Sequence, residues 1–484
     1  MTETVDVAVV GSGFGGLTAA ALAAHDGASV RLIEQHTRPG GCAGDFALGG
    51  FWFPAGATVV TGLEPGGILR QLFDTIGVSV GDRPLDPSIV FHLDGKQVSY
   101  CQDVEQWKRQ LRAAFPASAP NYEAFWDWTH LAGGRVYRIG ASLPSLPLQR
   151  LADARRTLPA ASPGVLRLLP DLFRTVGDAK QRLGAAGEPA IDAMVDALLM
   201  DATGADASEC SAVQGAIALD LYRRGCQLID GGTGRLAMQM VRAIRRDGGR
   251  VDFATRVEAL RRTATSWHVT LSGGESFEAR AIVANVPPAA LAKLLGRRPS
   301  LPASGTAWSA FVLHLGIDAS YLAPIHPYHQ VVHPGEPHGN SFISIFPATR
   351  RTPARWSISV SCHVNPRDWR AFDPESASQR AEMEQRLLAD VATVIPDVRE
   401  RTVLLRSATP STYERFTLRP GGFVGGLVQR PNVVALRAPG HRPAPGLYLA
   451  GDHVFPGQGT VGTALSGINA YRDAVERLGR KRTL

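Results

Sequence analysis

Residues 5–34, VDVAVVGSGFGGLTAAALAAHDGASVRLIE, read as strand, glycine turn, helix, strand and a closing acid. Val5–Val10 is a short valine-rich run, the pattern of a strand buried on both faces. Gly11, Gly13 and Gly16 follow in G-x-G-x-x-G spacing. In such a turn the first glycine permits the tight bend, the second lets a pyrophosphate approach the backbone, and the third lets helix and sheet pack closely. A helix over Leu17–His25 points its N-terminal amides at that phosphate, where the helix dipole favours negative charge. A second strand, Ser29–Ile33, ends at Glu34, a carboxylate placed to accept hydrogen bonds from a ribose diol. Glycine is abundant, 51 of 484 residues, so the bare motif is weak evidence and could serve only the turn. The complete unit in register is strong evidence. It reads as a site for an adenine dinucleotide.

Glu34 disfavours a 2′-phosphate, which leaves NAD or FAD. Arg38-Pro39-Gly40-Gly41 then brings a second glycine pair, where the backbone must again come close to something. A long, extended FAD uses such a pair and a nicotinamide dehydrogenase does not need it. The C-terminal region supplies a third piece. An apolar strand, Gly446 to Ala450, runs into Gly451-Asp452, then a glycine loop through Gly459-Thr460-Val461-Gly462, then a helix over roughly Thr463–Leu478. That order can set a carboxylate on ribityl hydroxyls and helix amides under a flavin. The cofactor reads as FAD.

These segments resemble the phytoene desaturase superfamily of carotenoid desaturases and isomerases, flavoproteins of amine-oxidase-like fold, with the strongest likeness to bacterial carotenoid C-3′,4′-desaturases. Beyond VVGSGFGGLTAAALAAHDGASVRLIEQHTRPGGCAG, the likeness rests on FPAGATVVTGLEPGGI at 53–68 and IDGGTGRLAMQMVRAIRRDGGRV at 229–251. It continues in ARAIVANVPP at 279–288, TPSTYERFT at 409–417 and LYLAGDHVFPGQGTVGTALSG at 447–467. The resemblance implies that Gly11, Ser12, Gly13, Gly15 and Gly16 cradle the diphosphate, and that Glu34 with Gln35 meets the adenosine ribose. It implies Arg38, Gly40 and Gly41 along the extended FAD, Gly56 and Ala57 near the isoalloxazine, and Val257, in a strand Thr255–Leu260, against adenine. Gly451, Asp452, Gly459, Thr460 and Val461 are implied around the ribityl chain and ring. The loop GDHVFPGQGTVG departs from the histidine-proline-glycine-glycine run of many phytoene desaturases, which bears on substrate and reaction rather than on the flavin.

A chain of 484 residues with 44% hydrophobic content can bury a large core in two or three domains. Apolar stretches are interrupted well before the roughly 18 residues a membrane span needs, and no basic-then-apolar leader precedes the first strand. The expectation is a cytoplasmic protein held peripherally at the inner face of the cell membrane. The five cysteines, Cys42, Cys101, Cys210, Cys226 and Cys362, are odd in number and lack C-x-x-C spacing, which argues against a disulfide framework or a zinc site. Cys42, beside the flavin-side glycines, reads as packing. Residues 135–182 hold nine basic residues against three acids, interleaved with leucine and proline, a pattern suited to an anionic bilayer or to a solvated helical face. No nucleic-acid motif is present. His326, His329, His333 and His338 lie in a proline-rich stretch without ligand spacing, so no metal is expected; His453, following Asp452, reads equally as a residue near the flavin and as satisfied packing.

The fold class is therefore α/β. A Rossmann-like FAD-binding domain with a parallel sheet takes residues 1–70, 226–295 and 430–484. An α+β substrate-binding, membrane-associating domain takes 71–225 and 296–429. Within the first, a helix Arg235–Arg246 with apolar residues at 236, 237, 240, 241 and 244 leads to strands Arg250–Leu260, Ser266–Leu271 and Ala281–Asn285. The inserts carry no nucleophile elbow, paired-carboxylate signature or H-E-x-x-H. That absence suits a flavin-borne reaction, with no catalytic side chain assigned. A polyene gains roughly 0.8 kcal/mol per buried CH₂-sized unit, so an apolar tunnel binds it without ion pairs. The expected reaction is desaturation of a carotenoid or related long polyene, with oxygen or a quinone as final acceptor. An isomerase, a saturase or an amine oxidase would share the fold, and a non-enzymatic prenyl-lipid-binding protein of this fold would lack the dinucleotide glycines.

Overall fold

The structure, a computed structural model, describes residues 3–158, 163–299, 308–335, 339–347, 354–369 and 374–484. Valine and alanine at every position of 7–10 allow burial on both faces, and Thr4–Val10 occupies the middle of a seven-stranded sheet. The order is Val257–Arg262, Trp267–Leu271, Ser276–Ala284, Thr4–Val10, Val30–Ile33, Arg250–Asp252, with Leu447–Leu449 also paired to Ser276–Ala284. Thr4–Val10 is parallel to both neighbours, and Leu447–Leu449 joins in parallel beside Ile282–Ala284. Trp267–Leu271 runs antiparallel to both of its partners, so a parallel centre carries an antiparallel arm.

The stretch expected as one strand, Arg250–Leu260, is two strands on opposite edges of this sheet. Between them Ala254 takes φ 52, and the chain crosses the sheet end by donating Ala254 N to His36 O and Thr255 N to Glu34 O, each at 2.9 Å. Helix Thr233–Arg246 buries Leu236, Ala237, Met240, Val241 and Ile244, the face its period marks. Helix Phe14–His25 crosses the last helix, Gly459–Arg477, through glycine: a Cβ on Gly467 would lie 2.4 Å from Gly15 O.

The second sheet, also of seven strands, has the order Thr402–Ala408, Ser309–Asp318, Arg355–Val364, Asn340–Pro347, Tyr328–Val332, Val90–Leu93, Lys96–Ser99. All its pairs are antiparallel except Tyr328–Val332 with Val90–Leu93. Alternation divides its faces. Phe311, Leu313, Leu315, Ile358 and Val360 pack on Leu387, Leu388 and Val391 of helix Pro374–Ala392. The other face turns Val312, His314, Ser359, Ser361 and His363 into a cavity. Helices Glu123–Ala141, Pro189–Thr203 and Ala212–Gly225 close that cavity from the far side.

Candidate active site

The dinucleotide turn is built by close backbone approach. Gly11 takes φ 94, and a Cβ there would lie 2.5 Å from Asn285 O; one on Gly16 would lie 2.3 Å from Gly11 O. The helix starts at Phe14, three residues earlier than expected, so Gly15 and Gly16 belong to its first turn. Its N-cap, Gly13, offers no side-chain cap to the amides of the first turn, of which Gly16 N is taken by Asn285. Asn285 organises the turn: its Oδ1 accepts from Gly16 N, and its own N donates to Val10 O at 2.8 Å. Sequence reasoning passed over Asn285 because it reads as a strand end. Its one signal is its place after the strand that flanks the first.

Glu34 is buried, with Oε2 accepting from Ser12 N at 2.8 Å and Ser12 Oγ at 2.6 Å, and Oε1 accepting from His36 N at 2.8 Å. Gln35 lies beside His36 at 3.4 Å. Val257 opens its strand two residues beyond Thr255, which hydrogen-bonds to Glu34, so the residues expected at ribose and adenine adjoin one another. Gly40 N donates to Ser12 O at 2.8 Å, and a Cβ on Gly41 would sit 3.3 Å from Gly13 Cα, so the two glycine clusters share one surface. Arg38 donates to Asp45 Oδ1 at 2.9 and 2.6 Å and stacks over Trp52.

From Gly41 the surface continues to Cys42, whose O accepts from Ala57 N at 2.8 Å, while a Cβ on Gly56 would lie 3.1 Å from that same oxygen. Cys42, Gly56 and Ala57 line the cavity together with Asp452, Gly459, Thr460 and Val461. The last helix begins at Gly459 rather than Thr463, so Gly459, Thr460 and Val461 form its first turn, again without a side-chain cap. Gly451 takes φ 121, and its N donates to Ser466 Oγ at 2.8 Å. Gly11–Gly16, Glu34, Gln35, Arg38 and Val257 lie off the cavity; the track through Gly41 and Cys42 joins them to it.

Arg419 Nη2 reaches Asp452 Oδ1 and Oδ2 at 2.9 and 2.7 Å, and Nη1 donates to Gly425 O. Burial alone pushes the Asp452 carboxyl up, but the Arg419 guanidinium more than offsets this and holds it well below the usual carboxylate range. Arg419 is shifted the opposite way, burial lowering it and Asp452 raising it further. The Cys42 thiol, open only along the cavity wall, is pushed up by desolvation. The Nε2 of His453 is buried without a hydrogen-bond partner at this end of the cavity.

The cavity has a volume of about 1320 Å³. Val136, Ile139, Val213, Ile217 and Leu221 make its helical wall. Leu148 and Leu436 line it and are 56% and 70% exposed, so it opens to the outside between them. Leu151, Leu166, Leu169 and Phe173 are also exposed, as are Arg155, Arg167, Arg174 and Arg437, in the segments that carry the lining residues Leu148, Leu168, Leu172 and Leu436. Among the described residues no helix is long and apolar enough to cross a membrane, and no three His, Cys, Asp or Glu side chains converge as a metal site. His329 pairs with His92 at 3.1 Å and His333 with Asp390 at 2.8 Å, while His338 lies outside the described residues.

Two uncapped helix starts, a glycine cradle too tight for any Cβ, a buried carboxylate and an orphaned imidazole nitrogen on one track fit a long dinucleotide with its ring in the cavity. A nucleotide-dependent oxidoreductase of α/β fold is the class these features define. Residues 14–474 match the family of flavin containing amine oxidoreductases, and the chain belongs to that family. It is 24% identical to a chloroplastic prolycopene isomerase of Daucus carota, over 98% of this chain and 80% of that protein. It is 29% identical to a zeta-carotene-forming phytoene desaturase of Myxococcus xanthus, over 71% of this chain and 66% of that protein. Putrescine oxidase bound to putrescine shares the fold, with a TM-score of 0.66 at 17% identity over 99% of this chain and 100% of that one. The carotenoid desaturase and isomerase superfamily and the α/β flavoprotein fold expected from the sequence are thus supported.

Proposed function

We propose that this chain is an FAD-dependent oxidoreductase that desaturates a carotenoid or related long polyene drawn from a membrane. The observation that carries this reading is the cavity. Its volume of about 1320 Å³ has to hold the flavin ring as well as a substrate, and the helical wall left to the substrate is aliphatic: Val136, Ile139, Val213, Ile217 and Leu221. It runs from Asp452 and the first turn of the last helix to an opening between exposed Leu148 and Leu436. A small amine would need a compact polar or anionic slot, whereas a polyene needs length and apolar wall.

When bound, FAD supplies the two-electron acceptor. The protein's part is to hold the dinucleotide on Ser12–Gly16, Glu34, Gly40 and Gly41, the ribityl side on Asp452, and the ring beside Gly56, Ala57 and Thr460–Gly462. Its walls align the chain and keep bulk water out. Electrons pass on to oxygen or a quinone. The rim would rest on the anionic inner face of the cell membrane, each exposed arginine adding on the order of 1 kcal/mol near the surface.

The test mixes flavin-loaded protein anaerobically with carotenoids of graded conjugation in vesicles and follows flavin and polyene absorbance together. Bleached flavin with a red-shifted polyene is the expected result. A change of polyene geometry at constant oxidation level, seen only after prior flavin reduction, would make the protein an isomerase. Reduced flavin reoxidised by a blue-shifted polyene would make it a saturase. Bleaching by amines alone would remove the polyene reading.

A further inference from the structure

Removing two hydrogens from adjacent carbons takes more than a hydride acceptor. The hydride leaves one carbon with its electron pair for the oxidised flavin, and a proton leaves the neighbouring carbon, whose C–H electrons become the new π bond. Something on the cavity wall must take that proton. The sequence assigned no residue to the task, and most of the wall is aliphatic.

Asp201 stands apart from the other titratable side chains on it, among them His314, His363, Asp452 and His453. It stands in the last turn of helix Pro189–Thr203, lines the cavity, and is 18% exposed, toward that cavity. Four other elements converge on it. Gln330, fully buried on strand Tyr328–Val332, donates Nε2 to Asp201 Oδ2 at 2.8 Å. His363 on strand Arg355–Val364 places Nδ1 at 3.5 Å from Oδ1. Tyr222 faces it from helix Ala212–Gly225, near enough for the carboxylate to raise the phenol. Gln458, the N-cap of the last helix, donates Nε2 to the backbone Asp201 O at 3.0 Å, which ties the backbone of this residue to the end of the cavity where Gly459–Val461 lie.

We propose that Asp201 is the catalytic proton acceptor, taking the proton from the substrate carbon next to the one that gives up hydride. The assignment rests on the polyene reading above. Among the described residues no arginine or lysine pairs with Asp201, unlike Asp452, Asp153 and Asp473, each of which is held ionised by arginine. Burial therefore acts on it almost unopposed, and its carboxyl is pushed up to about 7, with the Gln330 hydrogen bond a smaller opposing effect. His363 is pushed down to about 4 by burial, so it stays neutral and does not fix the charge on Asp201. A carboxyl balanced near neutrality can accept a proton and release it again at each turnover. Gln330 suits both states: its Oε1 has no partner, so a turned amide can accept from the protonated acid as its Nε2 now donates to the carboxylate.

The experiment uses holoenzyme, wild type and Asp201→Asn. Infrared difference titration should show a carboxyl C=O band with midpoint near pH 7 in the wild type, absent from the variant. Anaerobic stopped flow with the carotenoid that bleaches wild-type flavin fastest should show flavin reduction rising with pH through about 7, because only the carboxylate accepts a proton. In Asp201→Asn that rate should fall about 10²–10⁴-fold and lose its pH dependence. Flavin content and the spectral shift of bound carotenoid should stay at wild-type values. An unchanged rate and pH profile in the variant, or no carboxyl titrating near neutrality in the wild type, overturns the role. Wild-type protein inert toward every carotenoid instead overturns the polyene reading and this role with it. Loss of the Asp201 role alone leaves wild-type turnover intact, so the two failures are told apart.

Discussion

Replacing Arg419 with methionine removes the cation that holds Asp452 ionised while keeping most of the side-chain volume. Asp452 and Arg419 are 15% and 16% exposed, and the guanidinium meets both carboxylate oxygens and Gly425 O. Breaking a buried pair on one side costs roughly 3–5 kcal/mol, because the remaining charge is left uncompensated. Both residues touch the cavity, so the lower end, about 3 kcal/mol, is expected here. An unfolding entropy of about 2.1 cal/mol/K per residue gives roughly 1 kcal/mol/K for a chain of 484 residues. The shift in Tm is then about 3 °C if the chain unfolds as one unit, and about twice that if only the half containing the pair unfolds. The double variant Arg419→Met/Asp452→Asn removes both charges and should recover most of the loss.

The pH dependence fixes the sign. In the wild type the folded Asp452 carboxyl is depressed, so its stabilisation is present above the ordinary carboxylate range and is lost as pH falls through the folded value. In Arg419→Met burial is opposed only by His453, 3.4 Å from Oδ1, so the folded value rises above that of the wild type and the penalty at neutral pH is relieved on acidification. The gap between wild type and variant should therefore narrow from pH 8 to about pH 4. Thermal unfolding over that range, with excess FAD and again after flavin removal, separates this effect from lost cofactor. A variant as stable as wild type at pH 7, or a double variant less stable than the single one, refutes the reasoning.

Gly16→Ala places a Cβ 2.3 Å from Gly11 O, a backbone atom that cannot swing aside, so flavin per mole of protein should fall sharply and stability by about 1–3 kcal/mol. Asp473 is buried between His441 at 2.6 Å, Arg442 at 2.5 Å and Arg150 at 2.6 Å. Burial pushes its carboxyl up, but His441 and Arg442 more than offset that and hold it well below the usual range. Asp473→Asn should remove the carboxylate that Arg150 and Arg156 share with Arg442 and His441, and expose residues 144–158 to protease, read as new cleavage sites by mass spectrometry. Leu151→Glu with Leu166→Glu should weaken sedimentation with anionic vesicles by tenfold or more, since each leucine is worth about 1.5–3 kcal/mol on full burial. Turnover of a detergent-dissolved carotenoid should be unaffected by that change.

How far the fold can be read from the chain depends on where the signals sit. The first βαβ unit is legible because strand, turn, helix and acid are contiguous, and helix Thr233–Arg246 because its apolar period is unbroken. The split of Arg250–Leu260 is not legible. Nothing between Asp252 and Val257 interrupts a strand pattern; the break is made by hydrogen bonds to Glu34 and His36, more than two hundred positions away in the chain. The early start of the last helix is hidden by Gly462, which costs about 1 kcal/mol against alanine in a helix interior, and by Gly459, whose φ of 85 suits a turn. Packing against the cis-linked loop at Pro456 and the first helix overrides that preference.

The site divides along the same line. Glycines demanded by close backbone approach carry their reason in their spacing, so Gly11, Gly13, Gly16, Gly40 and Gly41 can be picked out, and the structure brings them onto one surface. Side chains that act by meeting a distant element carry none. Arg419 becomes informative only when Asp452 is beside it, Asn285 only when Gly16 is, and Asp201 only when Gln330 and His363 close over it. The contrast between Asp452 and Asp201 makes the point chemically. Both are acids on one cavity wall and neither stands out by type, yet an arginine keeps one ionised and its absence leaves the other balanced near neutrality. In this fold the backbone motif marks a dinucleotide site, and the pairing of isolated charges around the cavity separates an acid held ionised from the one proposed to move a proton.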